Sequence, residues 1–332
     1  MRHDLRFAIC DLRAAGRGVA ALLIAAVAFL CPRYAAAHDS PEHVVEALTA
    51  RMKERGETAD LLSRRATEYR ALSQLAPAAR DLQAALKLQP DLFAAHADLA
   101  RVQLQLREFA SARATLDRAI ARAPDEATRA PLRLVRAEVH AASGELNQAL
   151  SDCELAFAAT PAPEAEWFLQ RSQLQQQLGR NAEAAVGLKQ GFDQTGNPVL
   201  EAEWIDAMLD AGQTRVALAR IEPQLAESRW RSSWLLRRGR ARLALGEAVK
   251  GRGDLHAAVT EIDERLSAVR PEPTLLLDRG FALALLGDAA AARRDLAAAR
   301  QAGAEAASTW RLESCLDRSK ASASLPAKPL RN

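Results

Sequence analysis

Between Leu62 and Gly303 one short pattern returns at intervals near 34 residues. A leucine-rich turn ends in an Arg followed by a tiny residue. About a dozen residues later comes an Ala-x-x-x-Leu-x-x-Ala stripe, and often then a proline. The first copy runs Leu62, Arg65, Ala66, Tyr69, Ala78, Leu82, Ala85, Pro90, and the second Leu99, Ala100, Ala112, Leu116, Ala119, Pro124. A period of this length with apolar residues at helical spacing predicts stacked helix hairpins, each burying its apolar stripe against the next. Such an array has no single central core, and its natural product is an extended binding surface.

The composition agrees. Hydrophobic residues make up 49% of the chain and aromatics only 5%. Ala, Leu and Arg dominate, and alternating Val-, Ile- or Thr-rich runs are missing, which favours helix throughout.

The later copies run Leu132, Arg136, Ala137, Gly144, Ala149, Cys153, Ala156, Pro161; Phe168, Arg171, Ser172, Gly179, Ala184, Leu188; Trp204, Gly212, Ala217, Ile221; Leu235, Arg238, Gly239, Gly253, Ala258, Ile262; and Leu276, Arg279, Gly280, Gly287, Ala292, Leu296, Ala299. With small residues where two helices would cross and Gly-x-x-x-x-Ala at the turn, residues 59 to 303 resemble the tetratricopeptide repeat family. The resemblance implies an all-α, right-handed superhelical solenoid of about seven antiparallel hairpins, at 59–92, 93–126, 130–163, 165–197, 198–231, 232–272 and 273–304. Ser40-Pro41-Glu42 is a helix start, and 38–57 reads as an N-terminal capping helix. Residues 305–318, with Trp310 and Leu312, read as a C-terminal capping helix, and 319–332 as a disordered tail. The sixth copy carries seven extra residues between Gly246 and Gly253, either lengthening its first helix or, given three glycines, forming a loop.

Five copies place Arg where the family usually has Leu: Arg65, Arg136, Arg171, Arg238 and Arg279. This position faces the second helix of its own hairpin, so the charge needs a partner. Asp81, Asp152 and Asp295 stand sixteen residues after Arg65, Arg136 and Arg279. Shifting by the seven-residue insertion assigns Glu261 to Arg238, while Arg171 faces Gly187 and lacks an acid. These pairs are expected to bridge the two helices of a hairpin and fix their register. The competing reading is that the arginines extend over apolar surface into water.

Residues 1–37 have the layout of a cleavable signal peptide. Arg2, Arg6, Arg13 and Arg17 form a positive start, Val19 to Leu30 an apolar stretch, and Ala35-Ala36-Ala37 a cleavage site before His38. The apolar stretch is too short to span a bilayer, so export to the periplasm or exterior without stable membrane insertion is expected, an uncleaved anchor being the alternative. Without this segment the chain has 40 basic and 40 acidic residues, which removes the case for nucleic acid or anionic lipid as partner. Of the cysteines, Cys153 and Cys315 remain, and stacking would keep them apart as buried thiols.

No residue constellation for catalysis, metal or cofactor stands out. The family's inner-groove positions fall on Arg70, Arg101, Gln105, Glu138, Gln173, Gln176, Gln177, Asp206, Asp210, Arg240 and Phe281. Amide side chains both donate and accept, which suits the backbone of an extended peptide, although glutamine is also an ordinary surface residue of helices. The family's lysine clamp for C-terminal carboxylates is unmatched, its position holding Ser63, Ala97 and Leu134. The expected function is a non-enzymatic scaffold for another protein or peptide. An accessory subunit of a cell-envelope enzyme is the alternative, and a hydrolase or transferase with an unfamiliar site the third.

Overall fold

A computed structural model of the protein describes residues 40–266, 271–304 and 306–324. The expected export segment, and the tail beyond 324, lie outside them. Among the described residues there are sixteen helices and no strand. They are α1 (Pro41–Arg55), α2 (Ala59–Ala71), α3 (Leu75–Leu88), α4 (Phe93–Gln105), α5 (Phe109–Arg122), α6 (Glu126–Ala142), α7 (Leu146–Ala158), α8 (Ala165–Gln177), α9 (Asn181–Thr195), α10 (Pro198–Asp210), α11 (Thr214–Glu227), α12 (Ser232–Ala244), α13 (Ala248–Arg265), α14 (Pro273–Leu286), α15 (Ala289–Gln301) and α16 (Ala306–Ser324). The last helix runs six residues past Arg318, into the segment expected to be disordered.

Helices α2 to α15 pair as seven hairpins, and each hairpin closes the same way. The residue eight after the Arg position takes a left-handed backbone, which turns the chain so that the second helix can fold back. Gly144, Gly179, Gly212, Gly246 and Gly287 supply it, while Ser73 and Arg107 adopt φ 57° and 62° in the first two copies. At the two corresponding positions small residues are buried: Ala66 and Ala78, Ala100 and Ala112, Ala137 and Ala149. In the sixth copy both are glycines, and a Cβ on Gly239 would stand 3.1 Å from the carbonyl oxygen of Gly251.

The chain forms two compact units. The first, ending at Gln89, holds α1 to α3, with Leu48 and Met52 of α1 buried. The second, from Pro90, holds α4 to α16. Its core is a series of clusters, each shared by neighbouring hairpins. One joins α4, α5 and α6, the next α6, α7 and α8, a third is centred on α8 to α11, and a fourth runs from Leu225 through α12 to α16. Nearest-neighbour burial of this kind defines a solenoid. Cys153 and Cys315 are both free. Cys153 is fully buried, which pushes its thiol up to about 12, whereas Cys315 is only half-buried.

The charge pairs form inside the hairpins. Arg65 donates to both carboxylate oxygens of Asp81 at 2.7 and 2.8 Å, Arg136 to Asp152 at 2.8 and 2.6 Å, and Arg279 to Asp295 at 2.9 and 2.6 Å. Glu261 is not the partner of Arg238. Arg238 donates instead to Asp254 at 2.9 and 2.8 Å, again sixteen residues on. The hairpin turn is at Gly246, in register with the other copies, so the extra residues neither lengthen the first helix nor form a loop. They extend the second helix, α13, to 18 residues. The overhanging end of α13 brings Glu261 back to the start of α12, where it accepts from the backbone N–H groups of Arg231 and Ser232 at 2.8 and 3.0 Å.

Each of these arginines also reaches the hairpin or helix before it, which the sequence pattern did not suggest. Arg136 donates to Asp117, Arg238 to Glu222, Arg279 to Asp263, and Arg65 to the Thr49 hydroxyl. One guanidinium thus ties three helices together, its planar fork being suited to two acceptors at once. Where the acid is missing, the same two positions pack differently. Arg171 fills the space left by Gly187 and lies 3.8 Å over the Phe157 ring, while in the fifth copy Arg220 lies 4.0 Å over Trp204. A thermodynamic cycle over Arg279→Ala, Asp295→Ala and the double variant is expected to show a coupling of about 1 kcal/mol or more in chemical denaturation. Strictly additive losses would return these arginines to the status of solvated side chains.

Candidate functional site

In the second unit the first helices of the fourth to seventh hairpins, α8, α10, α12 and α14, turn one face to a common cavity of about 660 Å³. Helix α16 closes one side of it with Ser308, Trp310, Arg311 and Leu312. Helical spacing explains the lining. On α12, Arg237 and Arg240 are three apart and share the cavity face, whereas Arg238, about 100° around the axis, points to α13. On α10, Glu203 and Asp206 line the cavity for the same reason, and Asp210 stands one turn on.

The floor is an ion network around Asp206, which is only 4% exposed. It accepts from Arg237 at 2.7 Å and from Arg240 at 2.6 Å, and Arg311 stands 3.6 Å away. Asp210 accepts from Arg240 at 2.7 Å. Arg311 donates to Glu203 and to the side-chain oxygen of Gln176, each at 3.2 Å. Burial alone would raise the Asp206 carboxyl, but the charges of Arg237, Arg311 and Arg240 outweigh it and bring it down to about 2. At Asp210 burial wins over Arg240 and Arg311, and its carboxyl moves up. Arg240 also lies 5.1 Å over the ring of Phe281.

Three carboxylates therefore meet three guanidiniums. Two acids on the cavity wall are left over. Glu166 is exposed on α8, and Asp278, half-buried on α14, makes no hydrogen bond or ion pair among the described residues. Burial pushes Asp278 up to about 6, only partly offset by Arg237, with Asp206 adding to the rise. Gln176 is 6% exposed, and its side-chain nitrogen has no hydrogen-bond partner among the described residues. No group of His, Cys, Asp and Glu side chains among the described residues is arranged to hold a metal ion.

Of the groove positions expected from sequence, Gln173, Gln176, Asp206, Arg240 and Phe281 line this cavity, and Asp210 adjoins it. Gln177 is exposed at the end of α8 and does not line it. Arg101 and Glu138 face each other at 3.7 Å between the second and third hairpins, Gln105 is exposed at the end of α4, and Arg70 lies in the first unit. Sequence reasoning missed Glu203, Arg237, Asp278 and Arg311. The first three recur at helical spacing from predicted positions and could have been found. Arg311 could not, since 135 residues separate it from Gln176. Helix α16 lays Leu312 and Leu316 on the last hairpins, and Arg311, one position before Leu312, lines the cavity.

A model of the tetratricopeptide repeat matches residues 69–134. No curated protein matches the chain in sequence. Among solved structures, a tetratricopeptide repeat protein from Parabacteroides merdae superposes with a TM-score of 0.56 at 16% identity, over 79% of this chain and 98% of its own. A tetratricopeptide repeat protein from Thermus thermophilus gives 0.40 at 24% identity, over 56% and 99%, and the type IV pilus biogenesis factor PilW gives 0.44 at 18%, over 67% and 98%. Residues 69–134 thus carry tetratricopeptide repeats, and the seven hairpins closed on small residues share over most of the chain the fold of a tetratricopeptide repeat protein.

Proposed function

We propose that the protein is an exported, non-catalytic scaffold that holds a segment of another protein in the cavity faced by α8, α10, α12 and α14. The observation that carries this reading is the cavity itself: four successive hairpins contribute polar side chains to one concave wall, already built in the free protein. A preformed wall spares much of the ordering cost of binding. Export is supported by the charged, apolar and small-residue zones of residues 1–37.

A photo-crosslinking residue placed at Ser233, on the wall, is expected to capture a discrete partner in the source cell's envelope fraction. The same residue at His256, exposed on α13, is expected to capture none. The recovered chain should begin at His38. Equal capture from both positions, or none from Ser233, would overturn the groove reading, and an intact N-terminus the cleaved-export reading. Capture of a single enzyme in fixed stoichiometry would select the accessory-subunit form of the scaffold.

A further inference from the structure

We infer that the cavity recognises a lysine or arginine side chain presented by an extended protein segment, with Asp278 as the ion-pair partner and the Gln176 amide nitrogen as donor to the segment's backbone. The inference deepens the groove reading above and rests on it.

Three observations carry it. First, the ion network is closed without Asp278: Glu203, Asp206 and Asp210 are taken up by Arg237, Arg240 and Arg311. Asp278 and Glu166 leave the wall with surplus negative charge facing open volume. A carboxylate removed from water without a partner is costly, and a bound cation would remove that cost. Second, Gln176 is more than nine-tenths buried, lines the same cavity, and carries an unused donor. Its oxygen is engaged by Arg311, while the nitrogen is buried without a partner among the described residues, so a small turn of the amide towards the cavity would satisfy it with an acceptor. A peptide carbonyl is such an acceptor, and a free metal ion or an ammonium group is not. Third, the wall beside Asp278 is apolar, with Leu277, Leu236 and Phe281. Those residues suit the methylene stem of a long basic side chain whose charged end reaches the acid.

The chain already contains a precedent for this chemistry. Arg311 enters the cavity from α16 and is held by Glu203 and Gln176, so the wall demonstrably accommodates a guanidinium brought in from a distant segment.

The test is selection of random peptides displayed on phage against the immobilised chain and against Asp278→Asn. The native chain is expected to enrich peptides with a fixed Lys or Arg. A synthetic copy of an enriched peptide should bind Asp278→Asn about tenfold or more weakly. It should also lose affinity when that residue becomes norleucine. Enrichment of acidic or purely apolar motifs, or equal binding to both proteins, overturns the inference while leaving the groove reading intact. No enrichment at all overturns both. Free arginine amide competing as well as the peptide would assign the site to a small cation and overturn the protein-segment claim.

Discussion

Replacing Asp206 with alanine is expected to destabilise the second unit by about 3–5 kcal/mol, read as a fall in the urea midpoint. The large effect follows from what remains behind. Arg237, Arg240 and Arg311 converge on this one carboxylate in a place almost closed to water. After its removal three guanidiniums share Asp210 and Glu203, and Arg237 loses its ion-pair partner outright. Leaving buried charge unpaired costs far more than the pair contributes as a net stabiliser. Asp210, half-buried and meeting fewer charges, should cost less when replaced. The sign of the pH dependence follows from the depressed carboxyl. Its stabilising contribution is present above the usual aspartate range and is lost as pH falls through about 2. A loss below about 1 kcal/mol on Asp206→Ala would mean that water reaches the network and the cavity floor is not closed.

Asp278→Asn is expected to act in the opposite direction and to stabilise the fold by about 1–3 kcal/mol near neutral pH. Burial raises this carboxyl to about 6, so the folded chain holds the proton more tightly than the unfolded one. Stability linked to this group is therefore complete below about pH 4 and is lost as pH rises through about 6. Asparagine cannot ionise and avoids that loss. Urea denaturation of the two proteins should show the gain at about pH 7.5 and little difference at about pH 4. A gain independent of pH, or a loss at the higher pH, would show that Asp278 is already satisfied in the free protein. If the variant is both more stable and unable to bind basic peptides, a residue retained at a cost to the fold is retained for a ligand.

Much of this arrangement was legible in the chain because hairpin contacts are short-range in sequence. An Arg on one helix meets an acid sixteen residues later through a single turn, so counting residues finds Arg65–Asp81, Arg136–Asp152 and Arg279–Asp295. The count failed at Glu261 because two glycines, Gly246 and Gly253, could each mark the turn. Only the folded chain shows that Gly246 takes the left-handed conformation while Gly253 sits inside α13. Composition offers no help there, since glycine is tolerated within a helix held by packing against its neighbour.

The amino-acid order by itself determined the period, the helix pairs and the identity of the residues inside each pair, because turn chemistry and apolar spacing act within one hairpin. Which hairpin faces meet around a cavity is a property of how successive pairs are rotated against each other, and that rotation is set by side-chain packing summed over several repeats. The convergence of Asp206, Arg237 and Arg311, and the position of Asp278 on the same cavity wall, therefore belonged to the tertiary structure alone.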